Sequence, residues 1–255
     1  MRIPKLLLLG GTTEASALAT WLATRTDVSA MLSFAGTTRT PRPPPIAYRI
    51  GGFGGPTGLA AFLADGGFTL MIDATHPFAA RMKRNAAEAA EIAKIPLLGV
   101  LRPGWREQHG DRWVRVPDMA KAARAVGDTP QRVLLTIGQK DLAAFQAISQ
   151  HHYIVRSVDP PKPASLPQSH DVIAARGPFR LADELDLLRK HDITVLVTKD
   201  SGGTATADKL EAARMLGIRV IMVDRPPPPA GVRTVPDAPS AQAWLLAHAG
   251  TERGE

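Results

Sequence analysis

The sequence predicts an α/β protein of two lobes, each built on a parallel β-sheet. Three observations predict it. Short apolar runs of strand length alternate with segments of helical length along nearly the whole chain. Glycine- or hydroxyl-rich turns follow several of those runs, at 10–14, 138–140 and 199–203. A polar stretch from Arg102-Pro103-Gly104-Trp105 to Arg112 interrupts the alternation near the middle. A first lobe over about 1–100 and a second over about 115–255 are therefore expected, with a cleft between them. The 255 residues, 44% of them hydrophobic, suffice for a well-buried core in one large domain or two small ones.

Each element has its own reason. The run at 5–9 is the first strand; it is too short for a signal-peptide core and passes straight into Gly10-Gly11-Thr12. Residues 14–25 carry Ala17, Leu18, Trp21 and Leu22 at helical spacing. Strands follow at 28–34 and 47–50, separated by a proline-rich loop at 39–45. Residues 51–58 hold five glycines in eight positions, a turn that lets backbone approach backbone or ligand. A helix begins at 59–63, then a strand at 68–72, a helix at 80–94 and a strand at 96–101. In the second half, strands are expected at 113–116, 132–137, 153–158, 172–174, 194–198 and 219–223, and helices at 119–126, 141–149, 180–191 and 206–216. Arg225 and the prolines at 226–229 break the pattern, and 240–249 closes the chain as a helix.

Composition narrows the function. There is no cysteine, so no disulfide, no thiolate nucleophile and no cysteine metal site. His151 and His152 are adjacent and the other histidines scattered, so no metal site is expected. Neither a G-x-S-x-G elbow, an H-E-x-x-H helix nor a G-K-[ST] loop occurs. The formal charge is +7, with a pI of about 10.0. Basic residues are scattered and aromatics make up only 5%, which favours a small polyanion over nucleic acid as partner. No apolar run approaches the roughly 18–20 residues of a membrane span. A cytoplasmic protein is expected, and nothing sets its oligomeric state.

The candidate chemistry lies at strand ends. Asp73-Ala74-Thr75-His76-Pro77-Phe78-Ala79 follows a buried strand and precedes a helix, with Pro77 expected in its first turn. Open α/β sheets bind ligands at such ends, and Thr75 and His76 can donate hydrogen bonds or handle a proton; alternatively, Thr75 only caps the helix. Gly10-Gly11-Thr12-Thr13-Glu14 joins the first strand to the first helix. It can admit a diphosphate to a helix N-terminus, or be a tight turn with a threonine cap; it is not a G-x-G-x-x-G fingerprint. After the second strand come Ser33, Thr37, Thr38 and Arg39, with no acid between Ser29 and Arg49. Hydroxyls and a guanidinium suit a 2′-phosphate, so NADP(H) is favoured over NAD, although Arg39 also fits as a surface residue. Lys199-Asp200-Ser201-Gly202-Gly203 and Gly138-Gln139-Lys140 follow strands of the second lobe. The first is a ready anion site in which Asp200 could orient the lysine; for each lysine alone, surface solvation is the competing reading, and Lys209 in the next helix is read as a solvated helix residue.

Taken together these residues resemble the precorrin-6A reductase family of cobalamin (corrin ring) biosynthesis. The resemblance lies in Gly10 to Glu14, Asp73 to Ala79, Arg102-Pro103 with Trp105, Thr136-Ile137-Gly138, Gly177-Pro178-Phe179, Thr198 to Gly203 and Arg225-Pro226, in order over about residues 5–226. It implies two Rossmann-like lobes and an NADPH-dependent reductase that saturates one ring double bond of precorrin-6A, a tetrapyrrole polycarboxylate, to give precorrin-6B. On that reading Gly10, Gly11, Thr12, Thr13 and Glu14 lie near the cofactor diphosphate, and Ser33 and Arg39 near the 2′-phosphate. Thr75 and His76 lie beside the nicotinamide. Gly138, Lys140, Lys199, Asp200, Ser201 and Gly202 line the substrate side. His76 is the first candidate proton donor, with Tyr153 and Lys199 behind it. Two other classes stay open. One is a tetrapyrrole methyltransferase using S-adenosylmethionine, against which stands the missing acid after the second strand. The other is a protein that binds NADPH or pigment without turnover. The substrate could also carry cobalt, with NADH as the cofactor.

Overall fold

The computed structural model describes residues 3–36 and 43–251. The chain forms two compact units, Met1–Pro103 with Pro226–Glu255, and Gly104–Arg225.

The first unit runs β1 (Lys5–Leu9), α1 (Thr13–Leu22), β2 (Ser29–Phe34), β3 (Ala47–Ile50), α2 (Pro56–Asp65), β4 (Leu70–Asp73), α3 (Ala80–Ala93) and β5 (Leu97–Val100). After the second unit the chain returns to it with β12 (Arg233–Val235) and α7 (Ala238–Thr251). Its six strands are parallel and ordered β12-β5-β4-β1-β2-β3. Helices cover both faces, which is why the strands read as continuous apolar runs instead of alternating ones. Leu6 and Leu8 pack with Leu18 and Leu22 of α1 and with Trp244 and Leu245 of α7. Leu7 and Leu9 face Leu59 and Leu63 of α2 and Ala86 and Ala89 of α3.

The second unit runs β6 (Trp113–Val116), α4 (Met119–Ala125), β7 (Arg132–Thr136), a 3-10 helix (Gln139–Phe145), β8 (His152–Ser157), a short 3-10 turn (Pro163–Ser165), β9 (His170–Ala174), α5 (Leu181–Lys190), β10 (Val195–Lys199), α6 (Asp208–Met215) and β11 (Arg219–Val223). Its six parallel strands are ordered β6-β11-β10-β7-β8-β9. Leu134, Ile154 and Leu196 of this sheet pack with Leu188 of α5 and with Leu210 and Ala213 of α6.

The two windings are alike. In each sheet the direction of winding reverses at one strand pair, β1 and β4 in the first sheet and β7 and β10 in the second. The crevice outside the carboxyl ends of such a pair is where open α/β sheets bind ligands.

Three expectations need correction. The second lobe does not extend to the C-terminus. Arg233, Thr234 and Val235 pair in parallel with Leu98, Gly99 and Val100, and α7 buries Ala241 and Leu245 against the first sheet. Residues 226–255 therefore belong to the first unit. The helix expected at 141–149 is a 3-10 helix over Gln139–Phe145. Pro77 is not in a helix. His76 O accepts from Ala79 N at 2.8 Å, which makes His76–Ala79 a turn with proline at its second position, where its fixed φ fits. The helix starts at Ala80, so Thr75 is not its cap.

Candidate active site

The mouth of the first sheet is built by two loops that hydrogen-bond each other. Thr12, the N-cap of α1, accepts from Ala15 N at 3.2 Å and donates its own proton to Ala74 O at 2.7 Å. One hydroxyl thus caps the helix and ties the glycine turn to the end of β4. Gly10 is dictated by packing: a Cβ there would stand 2.4 Å from Leu32 Cδ1. Gly11 is dictated by conformation, with φ +126°, and nothing lies within 4 Å of where a Cβ would be. That backbone is open to a ligand, and the N–H groups of Thr13 and Glu14 in the first turn of α1 have no intrahelical partner. The Thr13 hydroxyl donates to Glu14 at 3.2 Å. The Glu14 carboxylate would repel a diphosphate if it stood alone. It instead accepts from Arg102 Nη1 at 2.8 Å, so Arg102, at the end of the first run of the unit, cancels its charge.

On the β4 side, Asp73 organises the loop. Its Oδ1 accepts from Thr75 N at 2.9 Å and Thr75 Oγ1 at 2.6 Å. Its Oδ2 accepts from Lys83 Nζ of α3 at 3.2 Å, and both side chains of that pair are about nine-tenths buried. Thr75 is itself buried and its proton is engaged, so it holds the loop's shape. His76 is half-buried. Its Nδ1 accepts from Phe78 N at 3.2 Å, which leaves Nε2 to carry the proton of the neutral ring.

Ser33 lies at the end of β2 and is buried. Its hydroxyl oxygen accepts from Arg49 Nη1 at 2.9 Å. Arg39, Thr37 and Thr38 lie outside the described residues. Arg49 was not anticipated as a site residue; its sequence signal is a basic residue one position before the end of the strand beside β2.

In the second unit the mouth between β7 and β10 brings Gly138 and Lys199 together. Lys199 Nζ pairs with Asp141, in the first turn of the 3-10 helix. A Cβ on Gly138 would lie 3.6 Å from Lys199 Nζ, so the ammonium sits against bare backbone. Ser201 and Gly202, which follow the end of β10, are buried, Gly202 with φ +63°. Lys140 is exposed.

Three expected roles are corrected here. Asp200 does not orient Lys199. Its carboxylate accepts from Trp105 N at 2.9 Å, from Arg115 Nη2 at 2.8 Å and from Arg225 Nη2 at 3.3 Å. Saturated by donors and buried, it fastens residues 104–105 and Arg225 to the end of β10 and is no ligand for a polycarboxylate. Tyr153 is fully buried near the N-terminal end of β8, away from the mouth, and its hydroxyl donates to Ile148 O at 2.9 Å. Burial pushes its pKa up to about 12, so it is no proton donor at the site. Lys209 is not a solvated helix residue: it is buried, with its ammonium 4.8 Å from the centre of the Trp105 ring.

Among the described residues no group of three or more His, Asp or Glu could hold a metal ion, and no helix is long and apolar enough to cross a membrane. The winding of the first sheet, with a glycine turn after β1 opening a helix, is that of a doubly wound, Rossmann-like α/β protein. The comparisons with known proteins are more specific. The family model Precorrin-6x reductase CbiJ/CobK matches residues 5–246, and the chain belongs to that family of oxidoreductases. It is 48% identical to a precorrin-6A reductase of Sinorhizobium sp over 92% of this chain and 90% of that one. It is 46% identical to a precorrin-6A reductase of Rhodobacter capsulatus over 98% and 99%. Among solved structures, CobK precorrin-6A reductase superposes with a TM-score of 0.91 at 44% identity, covering 96% of this chain and 97% of that chain.

Proposed function

We propose that this chain reduces one ring double bond of precorrin-6A to precorrin-6B in cobalamin biosynthesis, in the cytoplasm, with NADPH as the reductant. The observation that carries the cofactor reading is the bond from Thr12 Oγ1 to Ala74 O, because it sets the open glycine turn beside the Thr75–His76 loop at the point where the winding of the sheet reverses. The residues fit the group. Gly11 offers backbone with no side chain in the way, the first turn of α1 offers N–H donors, and Arg102 neutralises the Glu14 carboxylate in that turn.

NADPH supplies a hydride when bound. What the chain must add is position and a proton, since a hydride on one carbon of a conjugated, iminium-like system leaves its partner atom to be protonated. His76 is the candidate donor. With Nδ1 accepting from Phe78 N, Nε2 is the nitrogen through which the ring would donate to substrate or orient a proton-bearing water. Acting as an imidazolium would require the Phe78 bond to open, because Nδ1–H and the Phe78 N–H would then oppose each other.

The second unit's mouth suits the substrate's carboxylates. It carries the Lys199 ammonium, already balanced in part by Asp141, with the Ser201 hydroxyl and the backbone of Gly138 and Gly202 at the same strand ends, and the chain's charge of +7 favours a polyanion. The metal-free substrate is preferred to the cobalt-bearing one. Relatives at 46–48% identity are precorrin-6A reductases, whereas a cobalt-precorrin-6A reductase of Priestia megaterium is 31% identical over 65% of the chain.

The test is anaerobic turnover of precorrin-6A followed by NADPH oxidation, in the wild type and in His76→Ala and His76→Gln. We expect both variants to lose at least about tenfold in kcat with little change in KM for NADPH. Near wild-type turnover by His76→Ala across pH 6 to 9 would remove His76 as the acid. No NADPH oxidation by the wild type would refute the reductase reading.

A further inference from the structure

Six of the described arginines sit on carboxylates: Arg25, Arg102, Arg115, Arg156, Arg214 and Arg225. Arg49 does not. Its Nη1 donates to Ser33 Oγ and Gly51 O, both at 2.9 Å, and its Nη2 to Gly52 O at 2.9 Å. Those three acceptors are neutral. The guanidinium also lies 4.0 Å from the centre of the Phe53 ring and 5.2 Å from that of Phe62. No carboxylate pairs with it among the described residues, and 37–42 contain no Asp or Glu. A half-buried cation fixed in place by neutral groups is short of an anion.

The surroundings describe that anion. Of the five guanidinium N–H groups, three are used, leaving one on Nε and one on Nη2. These neighbouring donors match two oxygens of a phosphate. Beside them runs the glycine loop after β3, where nothing lies within 4 Å of a Cβ built on Gly52, Gly54 or Gly55. All of this stands at the carboxyl end of β2, since Ser33 and Arg49 are register partners across β2 and β3. In a dinucleotide-binding sheet that is where the adenosine ribose is read. Burial holds the Arg49 pKa below its ordinary value, in keeping with a charge that solvent only partly satisfies.

We propose that Arg49 is the residue that recognises the 2′-phosphate of NADPH, held in place by Ser33 and by the carbonyls of Gly51 and Gly52, and so separates NADPH from NADH. The inference rests on the cofactor reading above. It gives Ser33 a positioning role instead of direct phosphate contact, and it assigns the phosphate a guanidinium from β3.

The experiment is a fluorescence titration of the full chain with NADPH and with NADH, joined by displacement of NADPH with 2′,5′-ADP and with 5′-AMP. Arg49→Gln should raise the Kd for NADPH at least about tenfold and leave that for NADH within about twofold. It should weaken 2′,5′-ADP as a competitor but not 5′-AMP. Arg49→Lys, which keeps the charge but not the fork, should retain part of the preference, and Ser33→Ala should lose part of it. If NADPH and NADH weaken together in Arg49→Gln and Arg49→Lys alike, Arg49 is only a clamp on the glycine loop and the proposal fails. It fails equally if neither nucleotide's affinity changes. Wild-type protein that binds neither nucleotide would overturn the cofactor reading itself, and this inference with it; wild-type binding with an indifferent Arg49→Gln would overturn this inference alone.

Discussion

Replacing Asp73 by Asn tests the physics on which the first mouth stands. The Asp73 carboxylate takes three donors: Thr75 N at 2.9 Å, Thr75 Oγ1 at 2.6 Å and Lys83 Nζ at 3.2 Å. An amide keeps one oxygen for the Thr75 donors but turns its –NH2 towards the Lys83 ammonium. The lysine is then a buried cation facing a donor. Removing one partner of such a pair costs about 3–5 kcal/mol, or roughly 10–15 °C in the melting of a unit of this size. Lys83→Met leaves the carboxylate without its counter-ion and should cost a similar amount. Asp73→Asn with Lys83→Met should cost clearly less than the sum, because the amide oxygen still serves Thr75 and methionine replaces the lysine stem with apolar volume. Scanning calorimetry of the four proteins gives the cycle, read on whichever transition moves, since two units need not melt together. Single variants costing under about 1 kcal/mol, or a double variant costing the full sum, would refute the view that this pair is a dry, mutually dependent anchor for the Thr75–His76 loop.

Two further outcomes are expected. Tyr153 titrates at about 12 in the fold but near 10 when unfolded, so the folded state favours its protonated form. That stability is fully present below pH 10 and is lost as pH rises through 12; alkaline denaturation midpoints should show it as about 3 kcal/mol, and Tyr153→Phe should flatten the slope while costing about 1 kcal/mol at neutral pH for the bond to Ile148 O. Gly10→Ala should cost about 1–3 kcal/mol through overpacking against Leu32, and clearly less when it is introduced into Leu32→Ala, read by chemical denaturation, because the clashing atom is Leu32 Cδ1.

Much of the architecture was legible because the central strands are covered on both faces. Leu6 to Leu9, Met71 with Ile72, and Val195 to Val197 are almost wholly buried, and a strand in that position has no polar face to confuse the reading. The strand that was missed, β12, is three residues long, and Arg233 and Thr234 are exposed. Its partner β5 lies far back in the sequence, so only long-range pairing identifies it. Missing it moved the unit boundary, because α7 follows it onto the same sheet.

The mouths were legible in place but not in chemistry, for a physical reason. The winding of a sheet fixes which strand ends meet, and glycines or hydroxyls there are visible one residue at a time. What each side chain does depends on which donor or acceptor reaches it across the fold. Asp200 reads as a partner for the adjacent Lys199, yet two arginines and a backbone N–H converge on it, while Lys199 finds Asp141. Thr75 reads as a reactive hydroxyl, yet it donates its hydrogen bond to Asp73 two residues earlier. The same rule works in the other direction at Arg49, an unremarkable basic residue in the sequence whose neighbours turn out to be neutral. A charge whose surroundings leave it unbalanced is more informative about a missing ligand than a charge that merely lies near a motif. That asymmetry is what separates Arg49 from the carboxylate-paired arginines of this chain.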